Sequence, residues 1–262
     1  MTEDYICGEK FKQLCDFDFK SPDFNFINNL LSDDKKGKYV VYSDSENYVN
    51  ALSFIHNNSP KKFVLVTHNG DTEIKPTGLP HNLVHWFSQN LNFEHSKVSP
   101  LPIGLENPHW HPAKIPAMLS MPESQKRVNK GFCQYNCDTY PKERKTLVAN
   151  LWSNNIEVDW YPSINGQNFH QYLFNLKIYK YCFCPRGNGL DTHRIWESLY
   201  MGCVPVVKKH ITHQFEDSDL PVLFIDDWKD FNYQEPSGNF DSEMLTMKYW
   251  KNKIYGKIND RH

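Results

Sequence analysis

The 262 residues carry 29 basic against 31 acidic side chains, a formal net charge of −2, and this balance removes the electrostatic case for nucleic acid or an anionic membrane as partner. The length allows one large domain or two of about half the chain each, because domains cluster near ~100–150 residues. No apolar run approaches the ~18–20 residues of a membrane span, and the opening Met-Thr-Glu-Asp-Tyr has neither the basic nor the apolar region of a signal peptide.

Aromatic residues reach 15 %, which suits a packed interior and equally suits clefts where rings stack on sugar faces. Seven cysteines, an odd number, are spread along the chain. Cys182 and Cys184 lie on one apolar run, and reduced thiols, the default of an intracellular protein, are expected.

In chain order, the first 34 residues show weak periodicity, with a short strand expected near Tyr5 and a helical segment over Glu9 to Cys15. Lys38 to Tyr42 reads as a strand, and Ser43-Asp44-Ser45 then caps an amphipathic helix over Glu46 to His56. Lys62 to Thr67 is apolar without alternation, the pattern of a strand buried on both faces. A helix is expected over His81 to Asn90 and a strand over Lys97 to Ile103. Strand, helix, strand, helix, strand is the alternation of a parallel α/β sheet.

Pro112 to Asn129 breaks that pattern and reads as a linker. A second alternation follows. It contains a strand at Gly131 to Tyr135, a helix with Pro141 in its first turn, a strand at Ile156 to Trp160 and a helix over Asn168 to Leu176. Strands are also expected at Ile178 to Cys184, Val204 to Val207 and Pro221 to Ile225, and a terminal helix over Asp241 to Tyr255. The division expected is an N-terminal Rossmann-like lobe over 1–120, a C-terminal Rossmann-like lobe over 121–240, and a terminal helix over 241–262 returning to the first lobe. No internal repeat or low-complexity tract is present.

The densest stretch is Tyr181 to Val207: strand, glycine turn, helix, strand. Gly187-Asn188-Gly189 offers residues that tolerate positive φ, and a turn of this kind leading into a helix is an anion site, because unpaired N–H groups and the helix dipole favour phosphate. The helix is expected from Asp191, with Gly202 just past its last turn. At 100° per residue Asp191, Arg194, Glu197, Ser198 and Met201 share one stripe, and Ile195, Trp196 and Leu199 share another. Arg194 would give a phosphate a forked donor, and Glu197 would accept from ribose hydroxyls. The competing reading is a plain Arg194–Glu197 pair one turn apart, worth ~0.2–0.5 kcal/mol.

The string Pro185-Arg186-Gly187-Asn188-Gly189-Leu190-Asp191, continued by His193-Arg194, Trp196-Glu197, Gly202-Cys203 and Pro205-Val206, resembles the nucleotide-sugar-binding signature of exostosin-like glycosyltransferases of the family 47 type. Leu101 to Trp110 resembles the same family's pattern, so the likeness covers both halves. It implies an α/β fold of two Rossmann-like lobes facing a cleft, a GT-B-like architecture. It also implies an inverting glycosyltransferase that moves a sugar from a UDP-sugar to a hydroxyl of a glycan acceptor, with no cofactor and no obligatory metal. A compact, unanchored form fits a viral or bacterial enzyme of the xylosyltransferase kind, so xylose is the expected sugar. The expected setting is cytoplasmic or soluble intracellular, or a shortened form of a Golgi-type enzyme.

Donor-side residues are then Arg186, Gly187, Asn188, Gly189, Asp191, Arg194, Glu197 and Lys208, with Lys209 an alternative to Lys208. Inversion needs a base for the acceptor proton. In parallel sheets ligands lie beyond the carboxyl ends of the strands, which selects the loops Ser43-Asp44, Thr67 to Asp71 and Gly104 to Asn107. Asp71 is the preferred base for its neighbour Gly70, then His68, then Glu106; each equally fits a role within its own loop. Trp110 is a candidate sugar platform. His81 and His85, His109 and His111, and His210 and His213 form pairs, but a metal needs three convergent ligands, so none is read as a metal site. A non-catalytic nucleotide- or glycan-binding module of the same fold, and a GDP-sugar-dependent fucosyltransferase-like enzyme, remain alternative readings.

Overall fold

The computed structural model describes residues 3–19, 24–32, 37–75, 77–122, 126–162, 169–209, 215–216, 218–236 and 242–259. The chain forms two compact units, Asp4–Ile103 with Glu243–His262, and Gly104–Ser242 with Met1–Glu3. Each is a five-stranded, all-parallel sheet with helices, the mixed α/β class that the alternation implied. No helix among the described residues is long and apolar enough to cross a membrane.

The first unit runs α1 (Gly8–Gln13), β1 (Phe17–Asp18), α2 (Phe24–Leu31), β2 (Lys38–Asp44), α3 (Tyr48–Asn57), β3 (Lys62–His68), β4 (Leu83–Ser88) and β5 (Val98–Pro100). Its strands lie in chain order, β1-β2-β3-β4-β5. β2 and β3 are apolar on both faces because both faces are covered. Tyr39, Val41, Phe63, Leu65 and Trp86 pack with Ala51, Leu52 and Ile55 of α3. A second helix, α8 (Met247–Asn259), also packs on β2, β3 and β4, with Trp250 and Ile254 buried and the Trp250 ring meeting Phe11 edge-on at 6.4 Å. Tyr255 donates to the Leu14 carbonyl, and the Lys38 ammonium to that of Ile258, tying α8 down along its length.

One expected helix is a strand. Leu83-Val-His-Trp-Phe-Ser88 pairs in parallel with β3, His85 opposite Val64 and Trp86 opposite Leu65. A short apolar run looks alike in either state, and its six residues, buried along most of their length, suit a central strand better than a helix. His81 and His85 are therefore not one helical turn apart: His81 precedes the strand beside Ser59, and His85 bonds Ser99. β1 and α2 were not expected, since their stretch has too few periodic positions to read.

The second unit continues with α4 (Lys114–Ser120), β6 (Val128–Cys133), α5 (Pro141–Ser153), β7 (Val158–Trp160), α6 (Phe169–Ile178), β8 (Tyr179–Phe183), α7 (His193–Tyr200), β9 (Val204–Lys208) and β10 (Leu223–Ile225). The stretch read as a linker thus holds a helix, α4, and the start of a strand. The sheet order is β10-β9-β8-β6-β7. Counted from β6 this is 2-1-3-4-5, the doubly wound order whose direction reverses between the first and third strands. Leu147 and Leu151 of α5 share one core with Cys133, Tyr135, Tyr181, Phe183, Val206 and Trp228. Strand alternation turns Phe132, Cys182 and Val207 to the opposite face, and the buried residues of α6 and α7 pack against β8 and β9.

α7 ends as the sequence implies. Gly202 has φ 73°, its N–H reaches the Leu199 carbonyl at 3.0 Å, and the Cys203 N–H reaches that of Ser198 at 2.8 Å, a Schellman close. Arg127 lies against this turn and donates to the carbonyls of Leu176, Tyr179 and Met201, so one guanidinium satisfies the ends of two helices. Gly202→Ala forces a Cβ into the left-handed region and to 3.1 Å from Arg127 Nη2. We expect a loss of about 1–2 kcal/mol in urea unfolding; an unchanged midpoint would show that the turn relaxes without cost.

Candidate functional site

The carboxyl ends of β6 and β8 flank the point where the second sheet reverses, which is where a crevice opens in such sheets. From β6 the chain continues through Gln134, Tyr135 and Asn136 to Tyr140, a left-handed residue (φ 59°) in front of α5. Pro141 opens α5, and Arg144 falls in its first turns. From β8 the chain continues through Cys184, Pro185 and Arg186 toward α7.

Arg144 joins these two loops. Its buried guanidinium donates to the carbonyls of Arg186 (2.8 Å), Pro185 (3.2 Å) and Asn136 (3.2 Å). Burial and then the neighbouring Arg194 push its pKa down to about 10. No carboxylate ion-pairs with either arginine among the described residues. Two guanidinium groups held close without such a partner make a region where an anion is favourable.

Arg194 lies over two rings, its guanidinium carbon 5.9 Å from the Tyr135 centroid and 5.7 Å from that of Tyr172. Its Nε is buried with no hydrogen-bond partner, and so are the Tyr135 hydroxyl and the Thr192 hydroxyl. Buried polar atoms are almost always satisfied, so orphans on three residues around one turn are an unusual concentration.

Glu197 does not pair with Arg194. It is 3 % exposed, and its carboxylate takes the Tyr172 hydroxyl at 2.8 Å and the Lys114 ammonium at 2.5 Å. Lys114, on α4, also reaches Glu106 at 3.0 Å, and His111 lies 3.9 Å from the same carboxylate. Burial alone would raise the Glu197 carboxyl, but Lys114, His193 and Arg194 hold it at about 2. Burial would likewise lower the Lys114 ammonium, and the two carboxylates raise it instead. Most of both stripes of α7 is therefore buried. The stripe that carries Glu197 is closed by an ammonium from α4 and a phenol from α6.

The glycine turn differs from expectation in its backbone. Neither Gly187 nor Gly189 has positive φ; among the described glycines Gly104 (68°) and Gly202 do. The turn is shaped by Arg144 and by Asp191, whose buried carboxylate accepts the Thr192 N–H at 2.7 Å and the Trp196 indole N–H at 2.9 Å. α7 accordingly begins at His193, with Thr192 as its N-cap, rather than at Asp191. Arg186 stacks on Tyr140 at 4.5 Å and donates to the Asn188 carbonyl. Asn188 is exposed. Lys208 lies over Trp228 and 3.9 Å from Asp227, and Lys209 pairs with Glu216 and Asp226.

In the first unit, His68 is buried. Its Nδ1 accepts the Asn69 N–H at 2.7 Å, which leaves Nε2 to donate to the Pro102 carbonyl at 3.0 Å. Both ring nitrogens hold the turn. Asp71 is exposed, its N–H bonded to Glu46. Gly70 does not bend by positive φ; Asn69 does (55°), and Gly70 is packed so closely that a Cβ would lie 2.2 Å from Ser45 Oγ. Trp110 is 68 % exposed, with His109 tilted against it. His210 and His213 lie outside the described residues, and among those described no three His, Cys, Asp or Glu side chains form a metal-binding group.

The residues that sequence reading missed are Arg144, Tyr135, Lys114 and His193. His193 stood inside the motif and could have been flagged by its place beside Arg194. The other three act across loops, and nothing local marks them.

No family model matches the chain. It is similar to ribitol-5-phosphate xylosyltransferase 1 of Danio rerio, with 28 % identity over 137 residues that take in 44 % of this chain. The chain spans about a third (32 %) of that relative's length.

Proposed function

We propose that this chain is an inverting glycosyltransferase of the exostosin-like, GT-B type that moves a sugar, xylose by preference, from a UDP-sugar to a hydroxyl of a glycan acceptor. The observation that carries the reading is Arg194. It is a guanidinium with a buried, unpartnered Nε, flanked by Arg144 and the orphan hydroxyls of Tyr135 and Thr192, at the reversal point of a doubly wound sheet. A diphosphate supplies what those groups lack, which is anionic acceptors. It also gains charge as the sugar departs, so donors fixed in place favour the transition state over the ground state.

The likeness to a xylosyltransferase supports both the reaction class and the sugar. In this reading Arg194 grips the diphosphate and Arg144 holds the turn from Pro185 to Gly187 in shape, with Asn188 and Gly189 next along it. Glu197 reaches a ribose only by exchanging Tyr172 or Lys114 for a sugar hydroxyl; with both partners in place it anchors α7.

Thermal unfolding with added nucleotide tests the donor. A ligand at a hundred times its Kd stabilises by ~2.7 kcal/mol, so UDP should raise Tm by several degrees and GDP by much less. A preference for GDP would transfer the reading to a fucosyltransferase-like enzyme, and no response to either would remove the nucleotide site.

A further inference from the structure

We propose that His193, through Nε2, is the base that takes the proton of the attacking hydroxyl; this rests on the transferase reading above. Three features of its surroundings suit it to the task. Its Nδ1 lies 2.8 Å from the Gly104 carbonyl, which can only accept, so Nδ1 carries the hydrogen and the lone pair is on Nε2. Nε2 has no partner among the described residues, in contrast to His68, whose two nitrogens are both engaged. And His193 lies between Thr192 and Arg194, each of which carries a buried orphan polar atom, so the proposed base adjoins the group that would grip the leaving diphosphate.

The charged groups around the ring are Glu197 on its own helix, Lys114 on α4, and Glu106 in the loop that follows Gly104. Burial leads in lowering the pKa of His193, with Lys114 assisting, while Glu197 and Glu106 oppose. The imidazole is therefore neutral at pH 7 and able to accept a proton. Glu106, by contrast, is committed to Lys114.

In the step itself, the acceptor O–H bond breaks and its proton passes to Nε2. The oxygen forms the new bond to C1 of the sugar. The C1–O bond to the diphosphate breaks, and its electron pair leaves on UDP. Charge is conserved, with an imidazolium formed as the diphosphate gains its negative charge.

The test uses UDP-xylose with water as acceptor, following UDP release from pH 4.5 to 9. Wild type should show a single acid limb below the usual histidine value of ~6.5, because activity is lost when Nε2 is protonated. His193→Asn keeps a side-chain N–H for the Gly104 carbonyl but no base. It should lower kcat by ~10²–10³-fold, abolish the acid limb, and leave the Tm shift with UDP as in wild type. Imidazole ¹⁵N shifts of the wild type, which need no turnover, should report the Nδ1–H tautomer. A variant with wild-type kcat, an acid limb that survives in it, or an Nε2–H tautomer each overturns the role. Wild-type protein that binds UDP yet releases none from UDP-xylose overturns the transferase reading first, and this role with it.

Discussion

Lys114→Met should cost about 3–5 kcal/mol at neutral pH, because it leaves the buried carboxylate of Glu197 without its counter-ion and strips Glu106 of the same partner. The pH dependence of that loss separates an ionic cause from a packing defect. In the wild type Glu197 titrates at about 2, below its unfolded value of ~4.3, so its contribution is complete above about pH 5 and disappears as pH falls through 2. Lys114 is shifted up, so its contribution is complete below its unfolded value of ~10.4 and is lost as pH rises beyond it. The pair therefore gives a plateau between about pH 5 and 10. In the methionine variant burial is unopposed by the ammonium and raises the carboxyl, so folding takes up a proton. The difference from wild type should then shrink as pH drops from 7 toward 4. Urea titrations at several pH values measure this. A difference below about 1 kcal/mol that does not vary with pH would mean that Lys114 is in effect a surface group. Adding Glu197→Gln to Lys114→Met should recover much of the loss, as expected when the penalty is an unpaired charge rather than a missing contact.

Arg194→Met should separate function from stability. Against UDP-xylose we expect kcat/KM to fall by ~10²–10³-fold, the loss typical of one preorganised donor to a transition-state anion, with the Tm shift on UDP addition abolished. The unliganded variant should nevertheless keep its Tm or exceed it. In the absence of ligand Arg194 buries an unsatisfied Nε and presses a second positive charge on Arg144; a methionine relieves both while still covering the rings of Tyr135 and Tyr172, which offsets the loss of the arginine's support for the Glu197 carboxylate. Wild-type kinetics in the variant would reduce Arg194 to a packing residue.

The contrast between these two sites shows what a sequence exposes and what it conceals. The strands β2, β3, β8 and β9 were legible because each is a run of β-branched and aromatic residues bounded by turn formers. The end of α7 was legible because a left-handed terminus favours glycine. Pro141 announced the start of α5 for a similar reason of backbone geometry. β4 was not legible: a six-residue apolar run gives strand and helix the same score, and its identity is decided by β3 beside it. The motif itself was visible as a string, but the partners that give its side chains their properties were not. Arg144 is 42 residues from the carbonyl of Arg186 that it holds, and Lys114 lies in a stretch whose prolines hide a helix. Periodicity reports the face a residue presents, and it is silent about which distant charge arrives there.

The chain order of the two units bears on how the protein is made. Everything in the second unit's sheet is emitted by the ribosome as one continuous stretch, Gly104–Ser242, and can close its core as soon as that stretch has emerged. The first unit cannot: β2, β3 and β4 are synthesised early, yet the helix that covers one of their faces, with Trp250 and Ile254 buried in it, comes from residues 247–259. Until then an apolar face waits uncovered. Truncation before Met247 should therefore yield a polypeptide that is captured by chaperones or found in inclusion bodies, while the internal stretch Gly104–Ser242 is the piece best placed to be expressed alone.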